Sequence, residues 1–123
     1  GATTLELLAP RNSIIVEPIK ITASSKAYNN TRNFSIPTLY VGSETKYHPK
    51  KPTKKEVLDY LNNPSIKYKK IMVVADSLKK VIAAIGPDVY KDYFLLLDEI
   101  DSFQMDSTYR RSMEECLDYY KLF

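Results

Sequence analysis

Phe94-Leu95-Leu96-Leu97-Asp98-Glu99 sets four apolar residues against two acids. An apolar run without polar alternation is buried on both faces, the pattern of a strand inside a parallel sheet. Ile71-Met72-Val73-Val74-Ala75 repeats the pattern. Two further strands are Ser13-Ile14-Ile15-Val16-Glu17, bounded by Asn12 and Pro18, and Thr38-Leu39-Tyr40-Val41-Gly42, framed by Pro37 and Gly42.

Helical segments separate the strands. The sequence predicts helices over Thr3–Ala9, Ile21–Asn29 and Lys54–Asn62, the last with Thr53 and Glu56 spaced as a capping box. Leu78–Ile85 follows, capped by Asp76 or Ser77 and closed by Gly86-Pro87, and a final helix runs from Ser107 to about Tyr120 behind Asp106. Asn29–Asn33 reads as a loop, and Ser43–Pro52 as a basic one. Strand and helix alternate throughout. The expectation is therefore an α/β domain, a parallel sheet flanked by helices with right-handed crossovers.

The 123 residues make one domain, 1–123, with 27% charged and 44% apolar residues, a globular balance. No apolar run reaches the roughly 18–20 residues a bilayer span requires. One cysteine, Cys116, and one histidine, His48, exclude an intramolecular disulfide and a Cys- or His-cluster metal site. They also leave no Ser/His/Asp or Cys/His set. The sparse cysteine points to a reducing, cytoplasmic compartment. His48, in a Lys- and Pro-rich loop, reads as solvent-exposed, and Cys116 as a core residue.

Charge is unevenly placed. Residues 1–80 carry 14 Lys/Arg against 6 Asp/Glu, and residues 81–123 carry 4 against 9. Lys46, Lys50, Lys51, Lys54 and Lys55, then Lys67, Lys69 and Lys70, are interleaved with Tyr47, His48 and Tyr68. Lysines can hold phosphates and aromatics can stack on bases, so this front is a candidate nucleic-acid surface; it is equally a solvated face. Ligands of such sheets bind beyond the carboxyl ends of the strands, here at Glu17-Pro18, Gly42-Ser43, Asp76-Ser77 and Asp98-Glu99. A buried strand ending in two acids is either an acidic turn or a Mg²⁺ site, with the first acid on the metal and the second on an attacking water.

Three segments in order sharpen that choice. Leu95-Leu96-Leu97-Asp98-Glu99-Ile100-Asp101 resembles motif II, the Walker B element, of superfamily 2 helicases. Ile14-Ile15-Val16-Glu17-Pro18, with the following Ala23-Ser24-Ser25-Lys26, resembles motif Ia. Ile71–Leu78 resembles the strand ahead of motif II that ends at a backbone-binding Ser or Thr. Asp76-Ser77-Leu78-Lys79-Lys80-Val81, with Asp98-Glu99 some twenty residues on, is most similar to the origin-of-replication-binding helicases of large DNA viruses and their phage or mobile-element relatives. The resemblance spans roughly residues 1–115 and implies a RecA-like P-loop NTPase domain, the first motor domain of a DNA helicase, working with ATP, Mg²⁺ and a second RecA-like domain. It implies that Asp98 and Glu99 are catalytic, that Asp98 and Thr3 bind the metal, and that Gly1, Thr3 and Thr4 bind nucleotide. It assigns Ser24, Ser25, Lys26, Ser77 and Lys79 to nucleic acid, DNA rather than RNA, with Lys50, Lys51, Lys54 and Lys55 added from the basic loop.

The family's P-loop ends in GK[ST], and here Gly1-Ala2-Thr3 stands in that place, with Ala2 where the phosphate-binding lysine belongs. The expectation is a nucleotide site incomplete or decayed at its N-terminal side, and a chain with little ATPase activity of its own. Ala2-Thr3-Thr4 also reads simply as a helix start. The alternative function is a non-enzymatic nucleic-acid-binding or assembly domain that kept the fold; a flavodoxin-like domain of unrelated function is a third.

Overall fold

The computed structural model describes residues 2–98 and 107–123. Four strands, β1 (Ser13–Glu17), β2 (Thr38–Val41), β3 (Lys70–Val74) and β4 (Phe94–Leu97), form one sheet in the order β2-β3-β1-β4. Every pairing is parallel. The expected α/β architecture is what the chain adopts. β1 is central: Ser13 faces Lys70 on one side and Phe94 on the other, and Val16 faces Val73 and Leu97. All five residues of β1 are buried, which is why its sequence shows no polar alternation.

Helices α1 (Ala2–Leu8) and α2 (Lys20–Phe34) cover one face of the sheet, closing a core of Leu7, Ile15, Ala23, Ala27, Tyr40 and Met72. The opposite face packs Ile14, Val16, Ile71, Val73 and Leu95 against α3 (Lys54–Leu61), α4 (Leu78–Ile85), α5 (Val89–Asp92) and α6 (Ser107–Tyr120). Successive strand residues divide between the two cores, as a period of two demands. The β1-to-β2 crossover and the crossovers that return across the sheet lie on opposite faces, as a single handedness requires.

Four elements differ from expectation. β4 is an edge strand in which Phe94 is exposed and only Leu95 is fully buried, so its unbroken apolar run does not mark a strand covered on both faces. The segment 29–33 is helical, and α2 continues to Phe34 before Ser35 turns it in the left-handed region at φ 55°. Its polar residues serve the helix: Thr31 Oγ1 donates to the Ala27 carbonyl at 3.0 Å, and buried Asn30 donates to Thr38 Oγ1 at 2.7 Å. The entry to α4 is a 3₁₀ turn, Ala75–Ser77, and no side chain caps it. The third strand also begins one residue early, at Lys70. The capping box of α3 forms as read: Glu56 N–H donates to Thr53 Oγ1 at 3.1 Å, and Thr53 N–H donates to Glu56 Oε1 at 3.2 Å. Cys116 is buried in the core as expected. Asp106, the expected cap of α6, lies outside the described residues.

Candidate functional site at the carboxyl edge of the sheet

The register that pairs Val16 with Leu97 carries on one step, with the Asp98 N–H donating to the Val16 carbonyl at 2.9 Å. That step puts Asp98 beside Glu17 at the ends of two adjacent strands. Thr3, buried in the first turn of α1, donates its hydroxyl to Asp98 Oδ2 across a separation of 95 residues. Lys26 reaches in from α2, with Nζ 2.9 Å from Glu17 Oε1 and 3.2 Å from Asp98 Oδ2. The expected metal pair, Thr3 and Asp98, is therefore in direct contact, with a second carboxylate and an ammonium beside it.

The electrostatics of the two acids diverge. Burial pushes the Glu17 carboxyl up to about 8, reinforced by its hydrogen bond with Asp98 and opposed by Lys26. Burial also acts upward on Asp98, but hydrogen bonds from Glu17, Thr3 and Lys26 outweigh it and hold that carboxyl below its ordinary value. At neutral pH the site thus holds one carboxylate, one ammonium and one mostly protonated carboxyl beside Asp98. Glu17 Oε2 is buried with no hydrogen-bond partner among the described residues. Oxygen donors of this kind suit a hard cation such as Mg²⁺. The site fits one on two counts, the donor set and the unsatisfied buried oxygen. The Lys26 ammonium lies against those donors and would have to shift for a divalent ion to reach them. Among the described residues there is no group of three or more His, Cys, Asp and Glu arranged for a metal.

The other candidates are scattered. Thr4 is exposed, away from this cluster; Gly1, Glu99 and Asp101 lie outside the described residues. Ser24 is fully buried under the basic loop, bonded to Thr45 and to His48 Nδ1 at 2.6 Å. Ser25 is half-buried and donates to the Thr22 carbonyl at 3.2 Å. Ser77 is buried in the 3₁₀ turn, while Lys79, Lys50, Lys51, Lys54 and Lys55 are exposed. Two lysines of the basic front are occupied internally. Lys70 is 1% exposed and donates to the Glu6 carbonyl and Ser13 Oγ; Lys69 Nζ donates to the carbonyls of Asn63 and Ile66.

His48 is not the exposed loop residue expected. It is half-buried, its ring 5.0 Å from that of Tyr40 and edge-on to Tyr28. Burial lowers its pKa. Tyr40 in turn donates to the Ser43 carbonyl at 2.7 Å, and a Cβ at Gly42 would sit 2.5 Å from the Tyr40 hydroxyl, so any larger residue there would displace the Tyr40 ring. Tyr47 packs on Tyr28 with centroids 5.5 Å apart. The aromatics of this loop therefore pin it to α2 and β2.

Glu17 is the member of this cluster easiest to miss in the sequence. Its sequence signal is an acid at the end of a fully apolar central strand, on the edge where ligands bind, but the Glu17-Pro18 pair also reads as an ordinary strand stop.

Comparison with protein-family models, curated proteins and solved structures finds no match for this chain. No helix among the described residues is long and apolar enough to cross a membrane.

Proposed function

We propose that this chain is a helicase-like, RecA-type P-loop NTPase domain acting on DNA in replication or on a mobile element, with a degenerate or truncated Walker A element and a Walker B-like Asp98-Glu99. The observation that carries the reading is the Thr3–Asp98 hydrogen bond. The resemblance pairs these two residues on one metal, and they meet although they are far apart in the chain. Asp98 and Thr3 would hold Mg²⁺, which when bound supplies neutralising charge to the β- and γ-phosphates of ATP. Asp98, kept ionised by its neighbours, presents the carboxylate. Thr3 orients it. Glu17 holds or releases a proton at the buried edge as the local charge changes. Ala2 supplies no phosphate-binding cation, so nucleotide binding is weak, with a dissociation constant on the order of a millimolar, about 4 kcal/mol.

Lys50, Lys51, Lys54 and Lys55 present an exposed cationic strip for the DNA backbone. Fluorescence anisotropy with labelled single-stranded DNA across a salt series tests this. Each phosphate contact contributes a slope of about −0.7 in log K against log salt, so three to five contacts give roughly −2 to −3.5. Replacing the four lysines by alanine should flatten the slope. Absence of binding at low salt contradicts the DNA assignment.

One observation favours the alternative, a domain that kept the fold and lost the ATPase. The carboxylates of the candidate site are already neutralised from within by Lys26. Calorimetric titration with Mg·ATP separates the two: no saturable binding together with salt-sensitive DNA binding selects the non-enzymatic reading.

A further inference from the structure

Beyond the sheet edge, a largely apolar concavity lies between α3 and α4. It encloses about 420 Å³. Val41, Pro52, Val57, Val81 and Ala84 form its floor and walls. Lys51, Lys54 and Lys80 stand at its rim, and no acid lines it. None of these three lysines forms an ion pair among the described residues.

The chemistry of the lining narrows the occupant. A nucleobase is disfavoured, because there is no aromatic ring to stack on and no hydroxyl, amide or carboxylate side chain to read its edge. A neutral apolar molecule would fill the floor and leave the three ammonium groups unanswered. A simple inorganic anion would answer the ammonium groups and leave the aliphatic floor wet. Lys54 and Lys55 moreover occupy the first turn of α3, where the positive end of the helix dipole disfavours cations. The sequence concentrates positive potential at the mouth of an apolar cavity.

We propose that this pocket binds an amphipathic organic anion, an aliphatic body seated on Val57, Val81 and Ala84 with a carboxylate or phosphate head among Lys51, Lys54 and Lys80. The volume lies within the range of small-molecule sites, roughly 300–1,000 Å³, and has room for a medium-length aliphatic chain. The inference does not rest on the nucleotide reading, since no residue of the Thr3–Asp98 cluster takes part; it shares Lys51 and Lys54 with the proposed DNA strip, so DNA and the anion would compete for them.

Decanoate is the probe. Calorimetry, with amide chemical shifts as the second readout, should give one site with a dissociation constant on the order of 10–100 µM and shifts centred on Val57, Val81 and Ala84. 1-Decanol should bind at least about tenfold more weakly, because it lacks the head charge. Ala84→Phe should abolish binding by filling the floor. The combined Lys51→Gln, Lys54→Gln and Lys80→Gln variant changes only exposed rim side chains, so it decides the matter if Ala84→Phe does not fold; it should weaken decanoate at least about tenfold and leave decanol unchanged. No saturable decanoate binding overturns the proposal: the lysine stems then merely cover apolar surface. Equal binding of decanol, or decanoate binding unchanged in both variants, overturns it as well.

Discussion

The two ends of β1 carry polar clusters of similar composition and opposite character. At the amino end, Glu6 accepts from Arg11 at 2.8 and 2.5 Å and from Ser13 at 2.5 Å, while Lys70 donates to the Glu6 carbonyl and to Ser13 Oγ at 2.8 and 3.0 Å. Burial acts upward on Glu6, but its partners prevail and hold the carboxyl low. At the carboxyl end, two acids meet one lysine and one hydroxyl, an oxygen of Glu17 is left over, and the Glu17 carboxyl is driven up to about 8. A buried network in which each group is answered fixes a structure; one with a surplus acid stores a preference for another ligand. Helix α1 joins them, with Thr3 at one end and Glu6 at the other.

The largest expected effect lies at the satisfied end. Glu6→Ala removes the partner of Arg11 and Ser13 and the negative charge near Lys70, whose bond to the residue 6 carbonyl survives, and should cost about 2–3 kcal/mol in chemical denaturation. Glu17→Gln should cost less than about 1 kcal/mol at pH 7 and stabilise the fold at pH 8, because it removes an acid that resists ionisation. Similar losses from both substitutions would erase the distinction between the two ends.

Lys26→Met sharpens the comparison. It leaves Glu17 and Asp98 facing each other, and should destabilise the chain by about 1–3 kcal/mol at pH 8 and by less at pH 5, where Glu17 is protonated. The same variant should bind Mn²⁺ more tightly than the parent chain, since the resident ammonium no longer competes. Weaker Mn²⁺ binding would make Lys26 a supporting part of the site instead of a competitor.

The pH dependence of stability should have opposite signs at the two ends. Glu17 has its folded pKa raised from 4.5 to about 8, so its contribution is present below pH 4.5 and is lost as pH rises through about 8. Burial lowers Lys70 from 10.5 to about 8, so its contribution is present above pH 10.5 and is lost as pH falls through about 8. Denaturation midpoints of Glu17→Gln minus those of the parent should therefore climb between pH 5 and 8, and those of Lys70→Met should exceed the parent most below pH 8. Flat differences would show that neither group titrates differently on folding.

Much of the fold was legible because burial writes itself into composition. Ile71–Val73 are apolar on both faces because helices cover both sides of the sheet there, whereas Phe94–Leu97 forms the edge strand, with Phe94 exposed and only Leu95 fully buried. The capping box at Thr53 was legible because it is local. The extension of α2 was not, since Asn29–Asn33 carries turn-forming residues and its helicity depends on the buried Asn30–Thr38 bond. At the candidate site, Asp98 and Thr3 were readable from the resemblance. The meeting of Glu17 and Lys26 was not, because it depends on strand register and on which face of α2 looks inward. Lys70 shows the same limit: next to Lys69 it looks like surface charge, and the register with Ser13 buries it.

The proposed function requires the carboxyl edge of the sheet, and not the amino edge, to be the cation- and phosphate-facing end of the molecule. Paramagnetic broadening of amide resonances by Mn²⁺ tests this most directly. Broadening centred on Thr3, Glu17 and Asp98, abolished by Asp98→Asn and untouched at Ser13 and Lys70, is the predicted result. Broadening that survives Asp98→Asn, or that never appears near Thr3 at millimolar Mn²⁺, would contradict it.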